Sequence, residues 1–303
     1  MKKRKLGQSE LFVSELGLGC MSIGTDGQLA RLIIDTALDE GINYFDTADL
    51  YDFGENEKLV GKALRHVRDK VIIATKVGNR WNPDRAGWSW DPSKSYIKDE
   101  VKNSLKRLGT DYIDLYQLHG GTLADPIEEI IEAFEELRNE GYIRYYGISS
   151  IRPNVIREFV KKSRIVSVMM QYSMLDRRPE EEALPFLQEH GISTVTRGPL
   201  AKGLLSEKML EKVSSKGYLD YSLEELRKVL PMLKEKVASM RSFTEAALQY
   251  NLANSAVASV IAGASSPEQV RDNARAVRSP ALSTEEIAVI KKLTKVSVYQ
   301  EHR

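Results

Sequence analysis

One cysteine, four histidines and three tryptophans are all that 303 residues contain of these types. Cys20 alone cannot form an internal disulfide, and a lone thiol suits a reducing, cytoplasmic setting. His66, His119, His190 and His302 are scattered, so the clustered ligands of a metal-dependent hydrolase are missing and no metal is expected. Charge of one sign is lacking too. With 44 basic residues against 43 acidic ones the net charge is +1, and no global field favours nucleic acid or an anionic membrane. No stretch approaches the roughly 20 apolar residues that span a bilayer. The basic start, Lys2-Lys3-Arg4-Lys5, runs into Leu6-Gly7-Gln8-Ser9-Glu10 rather than an apolar segment, so no signal peptide is expected. The early glycines Gly17, Gly19 and Gly24 lack the G-x-G-x-x-G spacing, and no long helix starts on them. That weighs against a doubly wound dinucleotide fold.

What is present is an alternation. Short apolar runs recur at Leu16–Cys20, Ile42–Asp46, Val71–Lys76, Tyr112–Leu118, Ile143–Ile148, Val166–Gln171, Ser193–Thr196 and Val257–Ala262. Amphipathic segments separate them, among them Leu29–Glu40, Glu55–Arg68, Lys94–Leu108, Pro126–Glu140, Pro153–Lys162 and Glu180–Glu189. Gly41, Gly109, Gly141 and Gly191 stand where helices end on a left-handed residue. Eight strands alternating with helices imply a parallel sheet, and eight is the number that closes a TIM barrel. The expected fold is therefore an α/β protein, a (β/α)8 TIM barrel over residues 1–303 as a single domain. A β-hairpin (residues 1–15, strands at 3–6 and 11–13) precedes it, and a C-terminal helix opens on the capping box Ser283-Thr284-Glu285-Glu286. Two stretches break the rhythm. Residues 77–93 hold Trp81, Trp88 and Trp90, and residues 204–240 are rich in Lys and Glu, with a helical part at Ser222–Ser239. Both read as long loops at the C-terminal face, where lids are found.

Three strand ends carry chemistry. Tyr44-Phe45 ends in Asp46, with Tyr51 five residues on; Val71–Thr75 ends in Lys76; Tyr112–Leu118 ends in His119. The intervals of 30 and 43 residues are each about one strand–helix–strand repeat, which sets all these groups at one mouth of the barrel. A free phenol, with a pKa of about 10, gives up its proton reluctantly at neutral pH. An ammonium beside it stabilises the phenolate, Asp46 can hold that ammonium in place, and His119 can orient a carbonyl oxygen or share in proton transfer. Taken singly, an Asp, Lys or His at a strand end is more often a local ion pair, and Tyr51 is one of thirteen tyrosines. Their joint placement points to a carbonyl reductase.

The motifs Asp46-Thr47-Ala48-Asp49-Leu50-Tyr51, Gly54-Glu55-Asn56-Glu57, Thr75-Lys76, Asp114–His119 and Gly147-Ile148-Ser149-Ser150 resemble the aldo-keto reductase family over nearly the whole chain. The resemblance is to its branch of general bacterial reductases and potassium-channel β subunits. It implies an NADPH-dependent reductase of aldehydes or ketones that passes hydride from nicotinamide C4, with Asp46, Tyr51, Lys76 and His119 as the catalytic tetrad and Tyr51 as proton donor. For the cofactor it implies Gln171 and Tyr172 at the nicotinamide, Ser149 and Ser150 at its carboxamide, and Cys20, Met21 and Asp46 near the ribose. Loops after strands seven and eight commonly hold phosphate in a barrel. Here Arg197, Gly198, Pro199, Leu200, Ala201 and Gly203, then Lys208, match the pyrophosphate loop. In the loop that Gly263 opens, Ser265 matches a contact to the 2′-phosphate, and Gln269 and Asn273 match the adenosine contacts. Trp81 and Trp88 would wall the substrate, together with Tyr51 and His119. Three positions depart from the family pattern: Ser150 replaces a common Asn, Arg197 a small or hydroxyl residue, and Ser266 a basic residue at the 2′-phosphate, with Arg271 one turn on. The family also includes NADPH-binding regulatory subunits with slow turnover, the alternative reading. The partner expected is a small carbonyl compound.

Overall fold

The computed structural model describes residues 1–238 and 241–303. Eight parallel strands close a barrel: β1 (Leu16–Gly19), β2 (Tyr44–Asp46), β3 (Ile72–Val77), β4 (Ile113–Leu118), β5 (Ile143–Ser149), β6 (Ser167–Gln171), β7 (Ser193–Arg197) and β8 (Val257–Gly263). Sequence neighbours are barrel neighbours throughout, and β8 returns to β1 with Val260 opposite Leu16 and Gly263 opposite Gly19. The α/β barrel read from the sequence is the fold. No helix among the described residues is long and apolar enough to cross a membrane.

Alternate side chains of a barrel strand face its interior. The inner cluster is made of Tyr44, Ile72, Ala74, Leu115, Met169 and Val195 with their neighbours. The same parity, carried further along each strand, delivers Asp46, Lys76, Gln171 and Arg197 to the C-terminal mouth, with His119 just past the end of β4. At the other end, Lys3–Lys5 pairs antiparallel with Phe12–Ser14, and Leu6, Leu11 and Val13 pack into the interior cluster as a plug.

The helices begin and end where local chemistry requires. Ser93 caps Lys94–Leu108, which stops at Gly109 in a left-handed conformation (φ 62°). Ser283 and Glu286 form a reciprocal capping box on Thr284–Leu293. Ser222 does the same with Glu225 on Leu223–Val237; Ser239, the expected end of that helix, lies outside the described residues.

Some boundaries differ from expectation. Residues 77–93 are not all loop, because Asn79–Trp81 and Trp88–Trp90 pair as an antiparallel hairpin. The helix expected at Glu55–Arg68 ends at Leu64 and continues as tighter turns over Arg65–Lys70. Only Ala183–Glu189 of Glu180–Glu189 is α-helical, after a tight turn at Arg178–Glu180.

Helix Glu55–Leu64 touches Lys94–Leu108 at a point where no side chain fits. A Cβ on Gly61 would lie 2.0 Å from the Leu108 carbonyl oxygen. Alanine normally stabilises a helix interior relative to glycine by about 0.5–1 kcal/mol. Here the clash reverses the sign, and Gly61→Ala is expected to destabilise the protein by about 1–3 kcal/mol. Chemical denaturation checks this; an unchanged or higher midpoint would refute the close contact.

Candidate active site

Tyr51 opens a tight turn, Tyr51–Gly54, that carries the chain from β2 into the next helix. The turn uses three successive left-handed residues: Asp52 (φ 49°), Phe53 (φ 56°) and Gly54 (φ 83°). Two of them are not glycine, so the turn is strained, as functional loops often are. The strain is held from outside: the Phe53 ring stacks on Trp81 with centroids 3.9 Å apart.

Lys76 is the centre of the site. Its Nζ donates to Asp46 Oδ2 at 2.6 Å, to the Thr47 carbonyl at 2.7 Å and to Tyr51 Oη at 3.5 Å. An ammonium has three protons, and here three acceptors take them. Tyr51 receives a hydrogen bond from Lys76, so its own O–H is free to point into the cleft. The His119 ring stands edge-on to the Tyr51 ring, with centroids 6.2 Å apart and planes 85° apart.

The charges follow from burial. Lys76 and Asp46 are 1% and 4% exposed. Burial works against the Lys76 ammonium, but Asp46 and Tyr51 outweigh it, and its pKa lies above the ordinary value. Burial pushes the Asp46 carboxyl up, and Lys76 only partly pulls it back. The Gln117 amide also draws Asp46 down, without meeting it in a well-formed hydrogen bond. Burial first, then the charges of Lys76 and Arg197, depress His119 to about 3. The imidazole is therefore neutral across the physiological range, able to orient an oxygen but not to act as a charged acid.

These groups share one cleft of about 470 Å³. It runs from Tyr51, Lys76 and His119 past Gln171 and Arg197 to Lys202 and Gly203. A larger groove of about 650 Å³ lies outside the barrel by Leu32 and Leu59, but none of the tetrad faces it. The buried Asp46–Lys76 pair beside Tyr51 and His119, not size, selects the cleft. Among the described residues no group of three or more His, Cys, Asp or Glu side chains is placed to hold a metal.

The proposed cofactor residues fall into two groups. Met21, Asp46, Gln171, Arg197, Gly198, Pro199, Leu200, Gly203 and Gly263 line the cleft. Ala201 is buried behind its loop, Cys20 is buried under the neighbouring turn, and Ser149 and Ser150 are largely buried. Lys208 is exposed at the start of a short helix, outside the cleft wall. Ser265 and Gln269 hydrogen-bond each other at 2.8 Å on the exposed end of helix Pro267–Arg278, and Asn273 is buried along it. Tyr172 does not face the cleft. Parity turns it outward from Gln171 into the outer core, where its hydroxyl donates to Glu180 at 2.9 Å. Of the tryptophans, Trp88 is exposed, and Trp81 lines a neighbouring hollow with Phe53 and Asp49. Trp90 anchors the hairpin by donating to Asp125 at 3.0 Å. Tyr218, from the 204–240 stretch, lines the cleft and hydrogen-bonds Gln171 at 3.3 Å. No local pattern distinguishes that tyrosine in the sequence.

The cleft suits an elongated, anionic ligand that ends at the tetrad. Gly19 and Gly263 lie side by side, so that wall is bare backbone, with the Ser22 side chain against it. Ala201 (φ 47°), Lys202 (φ 59°) and Gly203 (φ 90°) form a left-handed run that curls the backbone at the cleft's far end, beside two cations.

A barrel that gathers a phenol, an ammonium, a carboxylate and a neutral imidazole at one mouth belongs to the class of carbonyl oxidoreductases. The model of the aldo/keto reductase family matches residues 15–295. The chain is 60% identical to the oxidoreductase YqkF of Bacillus subtilis (strain 168), with both chains covered in full. It is 34% identical to the NADH-specific methylglyoxal reductase of Escherichia coli (strain K12), over 91% of this chain and 94% of that one. The solved aldo-keto reductase AKR11C1 from Bacillus halodurans, in its holo form, superposes with a TM-score of 0.95 at 60% identity, over 100% of this chain and 99% of that one. The chain belongs to the aldo/keto reductase family and is an oxidoreductase of that family.

The His119 imidazole gives a stability prediction with a defined sign. Its pKa falls from 6.5 in the ordinary state to about 3 in the fold. Between these values the unfolded chain binds a proton that the folded one refuses, so stability is lost as pH falls from 6.5 towards 3. The loss is about 1.4 kcal/mol per pH unit. Asp46, with its raised pKa, acts in the opposite sense, so the comparison needs a variant. His119→Asn is expected to lose stability less steeply between pH 6.5 and 5, by about one proton's worth. Equal slopes in denaturation midpoints against pH would show that His119 is charged in the fold.

Proposed function

We propose that the protein is an NADPH-dependent reductase of aldehydes and ketones, with Tyr51 as the proton donor. The observation that carries this reading is the hydrogen-bond direction at Lys76. Because Lys76 donates to Tyr51 Oη, the phenol's proton is left to face the cleft. A carbonyl oxygen seated between Tyr51 and His119 would take that proton, and the phenolate left behind is stabilised by the ammonium 3.5 Å away. The neutral His119 orients the same oxygen. Asp46 keeps Lys76 charged and in position. A dihydronicotinamide, when bound, would supply hydride to the carbonyl carbon, and the β6 and β7 ends with the Leu200–Gly203 loop and the Gly19–Gly263 wall would hold it.

Preference for NADPH over NADH rests on Arg271, the basic side chain one turn into helix Pro267–Arg278. It is half-exposed and engages Glu268 only at 3.7 Å, so it is available to a 2′-phosphate. Ser266 is occupied as the helix cap, accepting from Gln269 N at 3.3 Å. The Escherichia coli relative is named NADH-specific, so the preference is tested directly. Arg271→Ala is expected to raise KM for NADPH about tenfold and leave that for NADH unchanged. Equal changes for both dinucleotides would remove the 2′-phosphate role.

The chemical role of Tyr51 is tested by Tyr51→Phe, assayed by NADPH oxidation against a panel of small aldehydes and ketones. Turnover is expected to fall by about 10²–10⁴-fold, with the affinity for NADPH nearly unchanged. Retained turnover would take the proton-donor role from Tyr51.

A further inference from the structure

Gln117 is the residue of β4 that stands beside Lys76. The two are register partners on adjacent strands, and Gln117 shares the inward parity of Leu115 in the inner cluster. Its register partner on the other side, Gly147 of β5, carries no side chain. Gln117 is fully buried, and among the described residues neither end of its amide meets a hydrogen-bond partner. An unpartnered amide is costly in a barrel interior, where a leucine or methionine of similar size carries no such cost. Asp46 Oδ1 is likewise buried and without a partner, because Lys76 takes only Oδ2. Burial raises the Asp46 carboxyl, Lys76 draws it back, and the Gln117 amide is the next group that does so. An uncommitted N–H and an uncommitted carboxylate oxygen therefore lie together behind the cleft.

We infer that Gln117 is a positioning residue for the reductase: its Nε2 is the donor for Asp46 Oδ1, and it steadies the carboxylate that holds Lys76 against Tyr51. This rests on the function proposed above. Asp46 then accepts at both oxygens, from Lys76 on β3 and from Gln117 on β4, and its plane is fixed from two strands. A carboxylate held at Oδ2 alone is free to turn about its last torsion, which is broad. Gln117 does not line the cleft, so it acts only through Asp46. The other groups facing Asp46 are Lys76, Arg197 on β7, Tyr44 on its own strand and Cys20 after β1. The two cations favour the ionised carboxyl. The Tyr44 hydroxyl and the Cys20 thiol stay neutral, pushed up by burial first and by Asp46 second. Tyr44 Oη, also without a partner, is the rival donor for Oδ1. Turnover needs Asp46 ionised, a state present above its pKa and lost as pH falls through it. Removing a donor to the charged form raises that pKa, so the acid limb of turnover moves to higher pH.

The test is the pH profile of kcat for NADPH-dependent reduction of a small aldehyde by the parent, Gln117→Met and Gln117→Glu. Gln117→Met fills a similar volume without a donor. Its acid limb is expected about one pH unit above the parent's, with KM for NADPH within about twofold. In Gln117→Glu the two carboxyls share one proton, which restores a donor for Oδ1. The acid limb should return towards the parent's, and turnover should fall instead as pH rises and that proton is lost. An acid limb unmoved in Gln117→Met overturns the inference, whatever the plateau does, because Tyr44 would then be the donor. Equal displacement in both variants also overturns it, since repacking alone would be the cause. If Gln117→Met does not fold, Gln117→Glu decides, and a profile without the added alkaline loss overturns the inference. A parent inactive towards every small aldehyde and ketone would remove the reductase reading itself, and this inference with it.

Discussion

The ion pair between Asp46 and Lys76 is the interaction on which the site depends. It joins the ends of β2 and β3 in the barrel's interior, where both side chains are almost entirely removed from water. Such a pair contributes little net stability, since the cost of desolvating two charges offsets most of their attraction. Its value is positional. Losing either partner would leave a buried charge uncompensated, at a cost of about 3–5 kcal/mol. Asp46 and the Thr47 carbonyl use two of the ammonium's protons and so aim the third at Tyr51. The fixed ammonium also contributes to the low pKa of His119. The ammonium beside the phenol and the neutral imidazole both follow from one buried contact.

Strand parity decides what else reaches the mouth. Gln171 and Arg197 share the inward parity of Met169 and Val195, whereas Tyr172 is displaced by one residue and points into the outer core. Two rims enclose these inward groups, Asp52–Gly54 and Ala201–Gly203, and each is a run of three left-handed residues. Non-glycine residues in that region cost energy, about 1 kcal/mol or more apiece. The fold meets that cost in the turn that follows Tyr51 and again in the Ala201–Gly203 loop, which borders the cleft. The Phe53–Trp81 stack and the burial of Ala201 show what holds each rim in place.

Much of this was legible in the sequence because it depends on local pattern. Apolar runs ending in Asp46, Lys76 and His119 marked the strand ends, and the glycines after four helices do adopt left-handed conformations: Gly41 (φ 75°), Gly109 (φ 62°), Gly141 (φ 82°) and Gly191 (φ 65°). The hairpin at Asn79–Trp81 and Trp88–Trp90 was hidden because three-residue strands are too short to show alternation. Helix Phe243–Leu252 was hidden for the opposite reason. All but Thr244 and Glu245 of its residues are buried, so no polar face marks its period. The Gln171–Asp176–Arg178 network and the approach of Tyr218 join residues from separate loops, and no spacing rule reaches across them.

The electrostatics of the mouth follow from how each cation is matched. Lys76 is balanced by Asp46 and Arg178 by Asp176, each at a direct ion-pair distance. Among the described residues the Arg197 side chain meets only an amide oxygen. That charge, with the Lys76 ammonium, helps keep His119 neutral. The neutrality of the imidazole thus depends in part on an arginine held by glutamine, where a carboxylate would have cancelled its charge.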